Sequence, residues 1–500
     1  MRSAIIIGLL FFNLGISLAQ NLSQHNWYFG NTADGIRFNR GTNKAQAVTN
    51  QALPFGTGGS AVATDPATAN LLFYTDGNRI YDGCHLLMPN GSGLLGNSSN
   101  NQPVVISPIP AQPNKYFVFA NSANFTTGGS ITSSVVDMVL FGNAAFPAPA
   151  QGNVEVANKN AAVPGLSNRS EAMLVIPHSN GTDFWLITHQ NSSTNYMATL
   201  INAASYTAGT FLTISSGGIG LPISVGNFSY NYKLKKIAIS TQSTNDDALI
   251  ADFNPATGVI VFDRYIFNTG LPTTASQSIY DIQWDIKGGQ YLYLSRTGEA
   301  GINADVLQYD YTNSNPGIPT TVITTILTAP IFRSYGLQLA PDSAIYHLYQ
   351  AVSGGPFLID KFTKTDTIAS RVIRTAQPFG AIDFKATQFP AFAPPANANL
   401  TIAFTTTPNN CQNNNVTFFP DVKPNADSLR WNFGDGQSSK AWSPIHKFTN
   451  NQSYSVTLTA FYQGIKTTVT QPVVINKFDL KIQLVQDTTA CRSEFPNQTY

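Results

Sequence analysis

Between Trp27 and about Phe392 apolar and polar positions alternate in short runs, each closed by a Gly, Asn or Asp turn and followed by a second run. Alternation with period two puts every other side chain on one face of a strand, so the pattern predicts repeated β meanders. The clearest strands are Asn70–Thr75, Lys115–Phe119, Asp183–Thr188, Lys236–Ser240, Gln290–Ser295 and Ala344–Tyr349. Their turns are chemically explicit. Leu72–Tyr74 passes through Thr75-Asp-Gly-Asn78 into Arg79–Tyr81, and Ala248–Phe253 passes through Asn254-Pro-Ala-Thr-Gly258 into Val259–Phe262. Gly and Asn accept the left-handed backbone that tight hairpins require. The anchor strands recur roughly every 45 to 65 residues, a spacing that suits four-stranded units with loops of variable length. Most aromatic residues occupy alternating positions and are expected to pack the core rather than stack on a ligand.

Composition supports an all-β chain. Of 500 residues 43% are hydrophobic, 38 are Gly and 29 are Pro, whereas only 11% are charged. That charged fraction is less than half the usual ~25%, which disfavours coiled coils and long amphipathic helices and leaves a neutral polar surface. With 28 basic and 27 acidic residues the net charge is +1, so nothing favours a nucleic-acid partner, which requires clustered Lys and Arg.

The N-terminus predicts an export signal over residues 1–19: Arg2, an apolar Ala4–Ile16 stretch, and the small-residue cleavage pattern Ser17-Leu18-Ala19 before Gln20. No Cys follows the cut to take a lipid, and no later run reaches the ~18 apolar residues of a membrane span. Cys84, Cys411 and Cys491 are too scattered for a disulfide scaffold; they are expected to be free, buried thiols, with a Cys411–Cys491 bridge as the alternative. His25, His85, His178, His189, His347 and His446 lack ligand spacing, so no metal site and no cofactor are expected.

Three later units share a finer pattern: Tyr232–Ile239, Ile282–Tyr293 and Leu337–Tyr346. Each resembles the apolar-turn-aromatic hairpin of seven-bladed β-propellers, best preserved at Ala340-Pro341-Asp342. The resemblance implies a propeller of about seven blades over residues 20–393. A tandem of β-sandwiches is the alternative, disfavoured because no linker interrupts the roughly 365 residues before Pro394.

The stretch Phe389–Asn397 is rich in Pro and Ala and marks a linker at 394–399. Beyond it come Leu429-Arg-Trp-Asn-Phe-Gly-Asp-Gly436, then Pro444-Ile-His446-Lys-Phe448, then Tyr454–Thr459. These resemble a PKD domain, an Ig-like β-sandwich, over residues 400–476, with Asn432 where the motif usually has Asp. The resemblance assigns Trp431, Phe433, Gly434, Asp435, Gly436, His446 and Tyr454 to its structural motif. Trp431 and Phe433 are expected in the core, and Gly434 to Gly436 in a tight turn that Asp435 caps. Calcium binding by Asp435 is the alternative. Residues 477–500 read as the first strand of a further Ig-like repeat in a truncated chain, since one strand cannot bury its own apolar face.

Trp27–Gly30, Gly35–Phe38, Asn70–Gly77, Met88–Gly91, Leu94–Asn97 and Ser134–Met138 resemble the opening of large exported proteins of gliding-type bacteria. Those couple a propeller-like region to PKD repeats and end in a type IX secretion sorting domain. The resemblance implies a secreted or cell-surface location, and outer-membrane secretion machinery as a partner if such a sorting domain exists.

No catalytic residue is assigned. Acid–base hydrolysis needs two placed carboxylates, and the only Glu residues are Glu155, Glu171, Glu299 and Glu494. Asp246-Asp247 and Asp281…Asp285 read as solvated turn or strand-end residues. Gly58-Gly-Ser60 and Ser353-Gly-Gly355 lack the hydrolase nucleophile frame, and Gly217-Gly-Ile-Gly220 lacks the Lys of a phosphate loop. The expected role is non-catalytic adhesion to extracellular polysaccharide or a cell-surface component, with a propeller enzyme acting on polysaccharide as the alternative; the ligand-binding residues are unknown.

Overall fold

Alternating runs close into small antiparallel sheets because a single hairpin leaves its apolar faces wet until other sheets cover them. The computed structural model describes residues 22–475 except 50–54, 67, 125, 143–151, 221–223, 243–247, 267–277, 287–288, 298–302, 314–322, 326–330, 396–400, 408–414, 424–425, 427 and 463–464. The expected signal segment, Cys411, Cys491, Asp246-Asp247, Glu299, Glu494 and the strand after residue 476 therefore lie outside the described residues. Two compact units emerge, a first running to Thr401 and a second built chiefly on Ile402–Asp421 and Leu429–Ala460.

The first unit is a seven-bladed β-propeller. Blade 1 has three strands, Asn26–Tyr28, Asp34–Phe38 and Ala45–Thr49. The strands that open blades 2 to 7 are Ser60–Thr64, Val104–Pro108, Arg169–Pro177, Asn227–Asn231, Ile279–Trp284 and Arg333–Leu339, each leading an antiparallel sheet in chain order. Every pair of successive blades shares an apolar core. Tyr28 meets Tyr74, Phe73 meets Val118, Phe119 meets Met173, Tyr196 meets Ile237, Ile250 meets Leu292, and Tyr293 meets Ile345. Trp27 and Phe38 of blade 1 then pack on Tyr346 and Leu348 of blade 7, which closes the ring. A closed ring leaves no long sheet edge exposed and needs no disulfide.

Closure is reinforced by a strap at the end of the unit. Pro390–Phe392 pairs in parallel with Ser60–Thr64 of blade 2. Upstream of that pairing, the Asn31 N–H donates to the Lys385 carbonyl at 3.0 Å, the Gly336 N–H to Thr387 at 3.0 Å and the Thr387 N–H to Thr57 at 2.8 Å. The first and last parts of the unit are thereby joined, with the Phe389 ring 5.2 Å from that of Trp27.

The second unit is an Ig-like sandwich. One sheet holds Thr401–Thr406, Asn415–Lys423 and Ile445–Lys447; the other holds Ser438–Ser439, Ser428–Asn432, Ser453–Tyr462 and Ile465–Val474. Trp431, Phe433, Phe418, Val456 and Leu458 fill its core. Cys84 departs from expectation. It is exposed, because it sits in the turn after Arg79–Asp82, where its N–H donates to Asp82 Oδ1 at 2.9 Å.

Candidate functional site

In an antiparallel blade the first strand starts where the second ends and the third begins. The connections between blades and the loops joining second to third strands therefore share one rim of the ring. Amide side chains tie this rim together. Asn97 Nδ2 donates to the Ala123 carbonyl at 3.0 Å, Asn121 Nδ2 to that of Ser170 at 2.8 Å, and Ser224 Oγ to Asn191 Oδ1 at 2.7 Å. In a chain with so few charges, neutral amides satisfy the buried polar groups of the rim.

Three opening strands break their ladder register near this rim. Residues 170–172 of blade 4 oppose a single residue, Tyr280 of blade 6 has no opposite number, and Tyr335-Gly336 of blade 7 oppose a single residue. A bulge leaves a residue unpaired and re-aims its side chain. Here the bulged residues Glu171, Tyr280 and Tyr335 are drawn together. The Tyr280 hydroxyl donates to Asn101 Oδ1, the Asn101 N–H donates to Glu171 Oε2 at 3.4 Å, and the Tyr280 and Tyr335 rings meet edge to face at 5.4 Å. Asn101 precedes blade 3 while Tyr280 belongs to blade 6, so their bond spans the seven-membered ring and lies at its axis. The Tyr280 carbonyl, released from the ladder, accepts from Asn227 Nδ2 at 3.2 Å, Ser240 Oγ at 3.1 Å and Gln242 Nε2 at 3.0 Å.

Asn101 is held from below by close backbone packing. A Cβ on Gly59 would lie 2.0 Å from the Asn101 carbonyl oxygen, and one on Gly58 would lie 2.1 Å from that of Asn100, so only glycine permits this approach.

The two acids of the cluster differ in their bonding. Asp281 is 5% exposed, and accepts from the Leu337 N–H at 2.7 Å, Gln388 Nε2 at 3.1 Å and the Ile282 N–H at 2.8 Å. Glu171 is 4% exposed and accepts, among the described residues, only the long Asn101 bond. Burial pushes each carboxyl up to about 7, against the pull of those N–H donors. Burial likewise raises Tyr280, which remains partly exposed. Among the described residues, Asn227 Oδ1 and Ser170 Oγ, nearby in blades 5 and 4, are buried without a hydrogen-bond partner.

Asp281 and Asp285 thus correct the expectation of solvated residues. Asp281 is locked to the strap and to blade 7. Asp285 is 2% exposed and caps the first hairpin of blade 6, accepting from the Tyr291 N–H at 2.9 Å. Glu155 lies elsewhere, in an ion pair with Lys115. A cleft of about 470 Å³ opens at the opposite rim, lined by Asp65, Pro108, Pro110, Pro113 and Met138 among others. It gathers no polar cluster comparable to the axial one. Among the described residues no three His, Cys, Asp or Glu side chains assemble as a metal-holding group.

In the sandwich, the sequence motif converges on one corner. His446 stacks on Phe433 with ring centroids 3.9 Å apart and planes within 2°, and its Nε2 lies 2.7 Å from Asp435 Oδ2. Asp435 Oδ1 accepts the Gln437 N–H at 3.0 Å, between Gly434 (φ 78°) and Gly436 (φ 88°). Both carboxylate oxygens are therefore engaged, one within the turn and one by the strand that carries His446. Trp431 is fully buried, its Nε1 donating to the Ala441 carbonyl at 3.1 Å, and the Tyr454 hydroxyl donates to the Asn450 carbonyl at 3.2 Å.

Sequence reasoning named Glu171 and Asp281 but not the partners that surround each, and missed Asn101, Tyr280, Tyr335 and Gln388. Bulges carry no residue signature here; the one available signal was the scarcity of Glu in so neutral a chain.

The PKD domain family model matches residues 396–470. The PKD1 domain of Vibrio anguillarum Epp is 23% identical, covering 16% of this chain and 94% of that one, with a TM-score of 0.14. A putative 6-phosphogluconolactonase from Bacteroides uniformis is 13% identical over 73% of this chain and 100% of that one, with a TM-score of 0.44. A GH74 xyloglucanase from Xanthomonas campestris is 11% identical over 90% of this chain and 66% of that one, with a TM-score of 0.39. No curated protein matches the chain. No helix among the described residues is long and apolar enough to cross a membrane.

Proposed function

We propose that the chain is an exported, non-catalytic binding protein in which the propeller is the ligand-presenting head and the PKD module a spacer. Its role is adhesion to extracellular polysaccharide or to a cell-surface component. The observation that supports this is the unequal state of the two axial acids. Asp281 is spent on three structural hydrogen bonds, which leaves Glu171 alone to meet a ligand, whereas acid–base hydrolysis of a glycoside calls for two working carboxyls. The export-signal pattern and the resemblance to type IX-secreted proteins support a secreted or surface-attached location.

A second reading, a polysaccharide-acting enzyme with an accessory PKD module, draws on the same acids, since both are held near pH 7, where proton transfer is efficient. Incubating the full chain with a polysaccharide panel, and measuring both retention and release of reducing ends, separates the two. Retention without new reducing ends is the expected result; sustained product release that disappears in Glu171→Gln would establish the enzyme instead.

A further inference from the structure

We propose that the bulged residues Glu171, Tyr280 and Tyr335, with Asn101 and Asn227, form a binding site at the propeller axis for a neutral saccharide bearing adjacent hydroxyl groups. This rests on the reading of the chain as a binding protein and specifies its ligand. A buried carboxyl that accepts a single 3.4 Å bond is under-satisfied, and burying such a group without donors is costly. What it lacks is O–H or N–H donors. Asn227 Oδ1 and Ser170 Oγ, buried and without partners among the described residues, add further hydrogen-bonding capacity to the same end of the ring.

The charge pattern selects the ligand. Arg169, two residues from Glu171, directs its guanidinium to the carbonyls of Ser167 and Gly165 and to the sulfur of Met197. Arg333, exposed at the start of the blade 7 opening strand, puts a cation beside Tyr335, but an anionic ligand held there would still face the Glu171 carboxyl, which accepts but has no positive charge to offer. An ammonium would require that carboxyl to stay ionised where burial opposes ionisation. Hydroxyl groups suit both its forms, donating to the carboxylate and accepting from the acid. The Tyr280 ring, partly exposed and backed edge to face by the buried Tyr335 ring, supplies an apolar wall for the C–H face of a sugar and gives access.

The test is calorimetric titration of the intact chain with cellohexaose, laminarihexaose and mannohexaose as neutral probes, an alginate hexamer as the anionic probe and a chitosan hexamer as the amine probe. At least one neutral hexaose is expected to bind. Glu171→Gln should weaken it about tenfold or more, the loss typical of a hydrogen bond to a charged group, while Asp252→Asn, at an exposed position in the third strand of blade 5, should not. As a second measurement independent of the variant's stability, the bound hexaose should shift the carboxyl carbon resonance of Glu171 in the wild-type chain. Equal binding by wild type and Glu171→Gln, without that shift, would overturn the site and leave the binding-protein reading standing. Binding of the alginate or chitosan probe alone would overturn the ligand class. Retention on cells without binding of any hexaose would overturn the saccharide site, and absence of retention on every surface would overturn the reading beneath it.

Discussion

Glu171 and Asp281 hold their protons to higher pH in the folded chain than free carboxyls do, so they impose a definite sign on stability. With folded values about 7, against ordinary values of 4.5 and 3.8, the native state binds more protons than the unfolded chain between about pH 4 and 7. Stability from these two groups therefore falls as pH rises through that window. His189 and His347 oppose them. Burial depresses their values to about 4 and about 3, so their contribution is lost as pH falls below the unfolded value of 6.5. The near cancellation makes the wild-type profile alone uninformative, but Glu171→Gln removes one group cleanly. Its melting temperature is expected to gain on wild type from pH 4.5 to 7, by the equivalent of at most about 3 kcal/mol, and then to hold level. A constant offset across that range would disprove the shift. In the sandwich, His446→Ala deletes both the Phe433 stack and the Asp435 contact. It should destabilise that unit by about 1–3 kcal/mol in a denaturant titration. Because both Asp435 oxygens are engaged, millimolar calcium should leave the unit's melting temperature unmoved.

At the scale of elements, a glycine's tolerance depends on what lies over it. Gly59→Ala would drive a methyl group against a backbone carbonyl that cannot yield, and should cost about 3 kcal/mol or more. Gly354→Ala meets nothing within 4 Å and carries only the strain of φ 69°, about 1 kcal/mol. Thermal melting of the two variants checks the contrast. The same distinction between local and non-local causes explains how much was legible in the sequence. A strand such as Ser428–Asn432 announces itself through alternation, Lys115–Asn121 and Tyr291–Arg296 through apolar, aromatic-rich runs buried on both faces, and the hairpin turns through Asp and Asn. The sandwich corner was readable because Trp431, Asp435 and His446 sit at fixed offsets within one short module. The axial cluster was not, because Asn101, Glu171, Tyr280 and Gln388 belong to parts of the chain that only ring closure brings together. Asp281 looked like a strand end because nothing near it in sequence shows that Leu337 and Gln388 will cover it. Cys84 looked buried by residue type, whereas the Asp82 turn turns it outward.

For the molecule as a whole, the consequential contact is the one that makes the ring a ring. Blades 2 to 7 follow one another in sequence, so their mutual cores form between neighbours; the interface of blade 7 with blade 1 and the strap on blade 2 join residues far apart in the chain, as in Asn43 Nδ2 to the Pro341 carbonyl at 2.8 Å, 298 positions away, and Thr387 Oγ1 to the Thr57 carbonyl at 3.0 Å, 330 positions away. Contacts of such long range carry the greatest loop-closure cost and give the least local reward until they are complete. Phe389→Ala removes the ring that packs on both Trp27 and Phe29. It should cost about 3–5 kcal/mol, as large aromatic truncations do. The loss should not be spread evenly. Hydrogen exchange should accelerate first in Asn26–Tyr28, in Ser60–Thr64 and in Arg333–Leu339, the strands the strap touches, while Phe184–Gln190 of blade 4 keeps its protection until global unfolding. The second unit, whose aromatic core draws on Phe404, Phe418, Trp431 and Phe448, should exchange as in the wild type. Uniform acceleration across all seven blades would mean that the ring opens only as a single cooperative body, and that the strap stabilises the whole propeller rather than its seam.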